Sequence, residues 1–161
     1  MTLSVCRVET PIGILTAESD GAGICSLTLT KSGSPLCSTD PILLKFCQEL
    51  SAYFAGTLKR FTVPITEHGT PFQLAVWQAL RAIPYGETRT YGEIAALIGR
   101  PGAARAVGSA CRVNPLPILT PCHRAVGTLH PDAFALGAET KRFLLRLESS
   151  RQTTRKGFSA T

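Results

Sequence analysis

The chain lacks any apolar run approaching the ~20 residues that a membrane-spanning helix needs. Its N-terminus, Met1-Thr2-Leu3-Ser4-Val5, lacks the basic stretch and long apolar core of a secretion signal. Both absences point away from a membrane and towards work inside the cell, in the cytoplasm. There is no Cys-x-x-Cys pair, and the three histidines (His68, His123, His130) are scattered, so neither a metal site nor a cofactor is expected. The six cysteines, at positions 6, 25, 37, 47, 111 and 122, form no tight framework. A chain of this size does not depend on disulfide staples, and the thiols are read as reduced. No internal repeat is present.

What the chain does have is 161 residues of ordinary globular composition, enough for one domain or two small ones. Its charge is lopsided. Residues 1–70 carry five Lys/Arg against six Asp/Glu, whereas residues 71–161 carry twelve against five. A basic half beside a neutral half suggests a polyanion partner for the basic half, nucleic acid being the usual one.

The expected fold class is α+β, with a small sheet-plus-helix domain over 1–67 and a mostly helical domain over 68–161. Alternation predicts a strand over 3–9; after the turn at Pro11-Ile12-Gly13 a second is read over 14–17, a third over 24–30, and a further strand over 60–65. Apolar residues at 43, 46, 47, 50, 53 and 54 recur with helical period, so 42–54 is read as a helix. Thr70-Pro71 starts a second helix, which Pro84-Tyr85-Gly86 ends. Thr90 caps a third over 91–98, with Glu93 placed for a capping box. Gly99-Arg100-Pro101-Gly102 breaks it, and an Ala-rich helix follows over 103–112. The last helix is expected over 138–148, with a loose polar tail from 149.

Two short helices joined by a glycine-containing turn fit a helix-turn-helix. The small residues Ala103 and Ala104 let the second helix approach a duplex closely, and Arg105 and Arg112 can reach phosphates or bases. By itself the pattern is weak, because many helical hairpins never meet DNA.

The chemistry sits in Pro121-Cys122-His123-Arg124, behind a stretch with three prolines in seven residues. A thiol attacks as its thiolate, and neighbouring His and Arg charge is expected to hold Cys122 as an anion. Read as extended chain, residues 122 and 123 point to opposite sides, so His123 reaches the sulfur through a water. A third group must orient His123, and Glu148 is the acid chosen. Asn114 ties the end of the recognition helix to the cysteine segment, and Tyr91 offers a phenolic proton.

Thr70-Pro71-Phe72-Gln73, Val76-Trp77, Ile83-Pro84-Tyr85-Gly86, Thr90-Tyr91, Ala103 to Gly108, Asn114-Pro115 and Pro121-Cys122-His123-Arg124 follow one another in a spacing that resembles the O6-alkylguanine-DNA alkyltransferases. The likeness is dense over 70–127 and returns at Lys141, Leu144-Leu145 and Glu148. The first 67 residues resemble the family's variable N-terminal domain only loosely. The resemblance implies that Cys122 accepts and keeps an alkyl group from O6-alkylguanine in double-stranded DNA, so that each molecule acts once. O4-alkylthymine is a second candidate substrate. It further implies that His123 removes the thiol proton through a water, that Glu148 orients His123, and that Asn114 is a hinge. Tyr91 would protonate N3 of the leaving guanine. Arg105 would replace the everted nucleotide, with the helix-turn-helix in the minor groove. The main-chain carbonyls of Cys122 and Ala125 would read the guanine amino group, and Thr128 would turn its hydroxyl into the pocket. The protein is expected to act as a monomer without a cofactor.

One stretch departs from the family. Where relatives carry a Gly-Tyr-x-Gly-Gly loop, this chain reads Ala133-Phe134-Ala135-Leu136-Gly137. Phe134 lacks the tyrosine hydroxyl, and Leu136 narrows the wall of the alkyl pocket, so bulky alkyl groups are expected to fit poorly. Two other readings compete: a module that binds alkylguanine lesions without reacting, which the presence of Cys122 disfavours, and a Cys–His hydrolase, which leaves the helix-turn-helix unexplained.

Overall fold

The computed structural model describes residues 2–128, 134 and 136–160, and for 150–160 the backbone alone. The chain divides into two units, Met1–His68 and Gly69–Thr161.

In the first unit, β1 (Ser4–Thr10), β2 (Gly13–Ser19) and β3 (Ile24–Thr30) form an antiparallel sheet in that order. The β1–β2 hairpin pairs Cys6 with Ala17 and Val8 with Leu15. Helix α1 (Pro41–Phe54) starts where Asp40 accepts hydrogen bonds from the N–H groups of Ile42 and Leu43, with Pro41 at its first turn. It packs on β1 and β2 and buries Leu43, Phe46, Leu50 and Tyr53. That apolar face is what holds the helix to the sheet.

The segment 60–65 is not a strand. It makes a single parallel bridge, Ile24 to Ile65. Pro64 has no N–H to give a ladder, and the N–H groups of Thr62 and Val63 donate instead to the Glu49 carboxylate at 2.9–3.1 Å. Gly23 permits the close pass: a Cβ there would lie 2.6 Å from the Ile65 carbonyl carbon.

The second unit contains α2 (Pro71–Arg81), β4 (Arg89–Thr90), α3 (Tyr91–Leu97), α4 (Ala104–Arg112), a 3₁₀ turn (Cys122–Arg124), β5 (Ala125–Val126) and α5 (Ala138–Ala160). Thr70 and Thr90 each close a capping box, with Gln73 and Glu93. Each box satisfies two helix-end N–H groups. Helix α3 ends in a Schellman turn: Gly99 sits at φ 77°, its N–H donates to Ala96, and the Arg100 N–H donates to Ala95. Only a left-handed residue closes that turn, and it swings the chain from α3 into α4. Val76, Trp77, Leu80, Ile94, Val107 and Ala110 make the shared core. Trp77 anchors it through its indole N–H, which donates to the Ala110 carbonyl at 3.0 Å.

Three further features differ from the sequence reading. Residues 122–124 form a 3₁₀ turn rather than extended chain. The two-residue strands β4 and β5 pair in parallel, Arg89 with Ala125 and Thr90 with Val126, too short to leave a periodic signal. The segment expected to be loose from 149 continues α5 to Ala160. It holds no proline to break a helix that is already formed. Among the described residues no helix is long and apolar enough to cross a membrane.

Candidate active site

The loop from Asn114 to Cys122 is fixed at close intervals. The Asn114 side-chain amide donates to the Thr120 carbonyl at 2.9 Å, and its Oδ1 accepts from the Leu116 N–H at 3.0 Å. The Thr120 carbonyl also accepts from the Cys122 N–H at 2.8 Å. Pro121, at φ −79° and ψ 69°, is therefore the centre of an inverse γ-turn, for which its ring pre-sets the backbone. Arg81 holds the same corner by donating to the Thr120 hydroxyl at 2.9 Å. Within the loop Ile118 sits at φ 76°, the single non-glycine residue with positive φ among those described. A buried β-branched side chain in that region is strained, and the surrounding packing must enforce it.

The 3₁₀ turn sends Cys122, His123 and Arg124 to different partners. Cys122 is buried in the core cluster with Trp77, Val107, Cys111 and Ala125. His123 is fully buried, and its Nε2 lies 2.8 Å from Glu148 Oε2. Arg124 grips the same carboxylate twice, Nε to Oε1 at 2.9 Å and Nη2 to Oε2 at 3.1 Å, and donates through Nη1 to the Ile83 carbonyl at 2.8 Å. Its guanidinium also stands 5.7 Å from the centre of the Tyr85 ring. Glu148 projects from α5, so this helix is what brings the acid to the 3₁₀ turn.

These contacts set the protonation states. Burial pushes Glu148 up, but the hydrogen bonds and charges of His123 and Arg124 outweigh it and hold the carboxyl at about 2. Burial depresses His123 more than Glu148 raises it, so the imidazole is neutral. A neutral ring facing a carboxylate presents N–H to it, which puts the proton on Nε2 and the lone pair on Nδ1. Nδ1 is buried and has no hydrogen-bond partner among the described residues. It is thus the basic atom of the site.

The expected resting thiolate is overturned. Burial pushes Cys122 up to about 11, beyond what a hydrogen bond from Asn114 and the Lys141 charge recover. Arg124, two residues on in sequence, spends its charge on Glu148 instead of the sulfur. Cys122 therefore rests as a neutral thiol at neutral pH.

Lys141 was not singled out as a site residue by sequence reasoning. Fully buried on α5, it donates from Nζ to the Ala125 carbonyl at 2.7 Å. The carbonyls of Cys122 and Ala125 thus each already accept one hydrogen bond, the former from the Ala125 N–H. A second lone pair remains on each oxygen. A lysine amid Thr140 and Leu144 looks like an ordinary helix residue, and only its burial reveals the role.

Tyr91 is half-buried at the first turn of α3, and burial raises its phenol, with a further rise from Cys111 and Cys122 nearby. A Cβ on Gly108 of α4 would touch its ring at 3.7 Å. Arg105 and Arg112 are exposed on α4, and Arg112 donates to Ser109 Oγ at 3.2 Å. Ala103 and Ala104, partly buried, begin α4, which has no side-chain cap. Thr128 is exposed just beyond β5. Phe134 packs on the core cluster and meets the His123 ring edge-on, centroids 6.3 Å apart. Leu136 is half-buried in the turn that Gly137 closes onto the Phe134 carbonyl at 3.1 Å. Ala133 and Ala135 lie outside the described residues.

Residues 71–150 match the family model described as 6-O-methylguanine DNA methyltransferase, DNA binding domain. The methylated-DNA–protein-cysteine methyltransferase of Methanosarcina acetivorans is 43% identical over 149 residues, covering 88% of this chain and 96% of that one. The crystal structure of the Mycobacterium tuberculosis O6-methylguanine methyltransferase superposes with a TM-score of 0.83 at 41% identity, covering 93% of this chain and 94% of that one. The same organism's protein in complex with DNA gives 0.81 at 44% identity, over 90% of this chain and 92% of that one. Such likeness spans both units and bears out the α+β class, and this chain belongs to the methylated-DNA–protein-cysteine methyltransferase family.

Proposed function

We propose that this protein repairs DNA by moving the alkyl group of O6-alkylguanine onto Cys122, once per molecule. The observation that carries the reading is a buried thiol beside a buried neutral histidine whose one uncommitted nitrogen is basic. Family membership supplies the alkylated DNA as partner.

The uncapped N-terminus of α4 leaves its first N–H groups for a DNA phosphate, a ready anion site at a helix start. Ala103 and Ala104 keep that helix slim enough to lie in the minor groove. Exposed Arg105 takes the place of the nucleotide that leaves the stack, offsetting an unstacking cost of about a few kcal/mol. The everted guanine then meets the site. His123 Nδ1 takes the thiol proton through a water. The sulfur attacks the alkyl carbon, a C–S bond forms, and the carbon–O6 bond breaks with its electron pair moving to the guanine. Tyr91, which burial keeps protonated, gives its phenolic proton to N3, so the base leaves neutral. The His123 proton makes good the Tyr91 phenol, and the thiol proton has in effect become the guanine proton. The Cys122 thioether has no route back to a thiol. Asn114 holds the sulfur's segment to the end of α4, and Leu136 beside Phe134 favours small alkyl groups. The second lone pairs on the carbonyls of Cys122 and Ala125 remain for the guanine amino group.

Intact mass after mixing with duplex O6-methylguanine tests the reading. A single adduct of about 14 Da, one CH₂, is expected on the peptide that holds Cys122. Tight lesion binding without an adduct would instead identify a non-reacting binding module.

Arg105→Ala separates eversion from chemistry. Repair in duplex DNA should slow on the order of 10- to 100-fold, since each 1.4 kcal/mol of lost support costs about tenfold. Reaction with free O6-benzylguanine, which needs no eversion, should change by less than about twofold. Equal losses on both substrates would remove Arg105 from the eversion step.

A further inference from the structure

The alkyl-transfer chemistry leaves a second thiol cluster unused. Cys6, on β1, and Cys47, on α1, are 41 residues apart in sequence, yet their sulfurs lie 3.8 Å apart. Register explains the meeting. Cys6 alternates inward on β1, opposite Ala17, and Cys47 follows Phe46 at the margin of the apolar face of α1. Cys6 is buried and Cys47 is partly exposed. One thiol is reachable from solvent and the other waits behind it. The strand-like run through Leu36 is fixed to β1 by two hydrogen bonds with Arg7 at 2.9 and 3.0 Å, which brings exposed Cys37 into the same neighbourhood.

We propose that Cys6 and Cys47 are a redox-active dithiol and a modification site for low-molecular-weight disulfides, in which Cys47 attacks and Cys6 resolves. The geometry assigns the order. Only Cys47 is open to an incoming disulfide, and only Cys6 stands in contact distance behind it. In the first step the Cys47 thiolate attacks one sulfur of RSSR. A Cys47–SR bond forms, the RS–SR bond breaks, and RS⁻ leaves with the electron pair. In the second step Cys6 gives up its proton and attacks Cys47 Sγ, the Cys47–SR bond breaks, and a second RS⁻ leaves. The sum is two protein thiols and RSSR giving one protein disulfide and two RSH. The protein is oxidised and RSSR reduced. The sulfurs must close from 3.8 Å to about 2.05 Å, within reach of side-chain rotation.

The electrostatics agree. A hydrogen bond from Cys6 lowers Cys47 to about 7, despite partial burial. Cys6 is pushed well up, first by that same hydrogen bond and then by burial. A thiol that titrates near neutral pH is close to the optimum for attack on a disulfide. The other buried thiols are pushed the other way, Cys111 to about 12 and Cys122 to about 11, in both cases first by burial. Oxidation is thus directed to the sheet-and-helix unit and away from the alkyl acceptor. The inference does not rest on the alkyl-transfer reading.

The test is to treat the folded, full-length chain with oxidised glutathione at pH 7 and map its peptides without reduction. The expected product has lost two hydrogens and carries a Cys6–Cys47 crosslink. Cys6→Ala should halt at glutathione bound to Cys47 and, having lost the donor, should make that adduct about fivefold more slowly. Cys47→Ala should leave Cys6 unmodified as long as the chain is folded. A crosslink of Cys37 to either partner, a wild-type product that stops at glutathionylated Cys47, or ready reaction of Cys6 in Cys47→Ala would each overturn the proposal. The wild-type peptide map needs no variant to fold.

Discussion

Cys122→Ala should leave no measurable alkyl transfer, with affinity for duplex DNA kept within about twofold. The proposed reaction ends in a bond to that one sulfur, so removing it removes the product as well as the rate. Binding should survive, because the groups proposed to meet DNA, Arg105 and the start of α4, are carried on a separate helix. The fold should survive too. Removing one buried sulfur leaves a cavity smaller than those of Leu→Ala changes, and costs about 1 kcal/mol or a little more. Cys111 is also in the core cluster, but burial pushes it still higher than Cys122, to about 12. Intact mass on O6-methylguanine duplex and fluorescence anisotropy on the same DNA check both halves of the expectation. An adduct on the variant, wherever it maps, would unseat Cys122 as acceptor.

The second large effect belongs to Glu148. Glu148→Ala strands the Arg124 guanidinium, which is only 7% exposed and loses two of its hydrogen bonds. Removing one partner of a buried ion pair costs about 3–5 kcal/mol. Glu148→Gln keeps the shape and an acceptor oxygen, and should fold with a smaller loss. Transfer should still slow by on the order of a hundredfold, because the amide no longer orders the His123 tautomer. The pH dependence carries a sign. The folded carboxyl is held at about 2, against about 4.3 for an unfolded glutamate. Its contribution is therefore complete above the unfolded value and fades as pH falls towards 2. His123, buried neutral and depressed, acts in the same direction, with stability falling below about 6.5 as the unfolded chain takes up the proton. Urea midpoints between pH 7 and pH 3 should fall for the wild type. They should fall less for Glu148→Gln below about pH 4, because the Glu148 share is gone while the lowered carboxyls of Asp20, Asp40 and Glu93 still contribute. Parallel pH curves for the two proteins would contradict the assignment.

How far these features could be read from the chain depended on the range of the interaction. The caps at Thr70 and Thr90 are local chemistry, three residues wide, and both were legible, Thr90 with its partner Glu93 in view; the Gln73 partner of Thr70 was not read. The first strand of the hairpin followed from alternation, and the second from the turn signal at Pro11-Ile12-Gly13. The segment 60–65 misled because its apolar pattern is strand-like, while its N–H groups are satisfied by Glu49 from a helix a dozen residues earlier. Arg124 was assigned to the wrong neighbour for the same reason. Nearness in sequence suggested the thiol, and the carboxylate that captures it arrives from α5. Cys6 with Cys47 is the extreme case, since nothing in the spacing of two cysteines on a strand and a helix says that they touch. The resting charge of Cys122 needed burial, a quantity that no motif encodes.

The strained Ile118 has a last consequence. A loop fixed by prolines, by an asparagine bonded at both ends of its amide and by one enforced left-handed residue has almost no alternative shapes to lose. In the proposed reaction, folding has then already met the entropic cost of placing the nucleophile, and the binding free energy of the DNA is left to pull the nucleotide out of its stack.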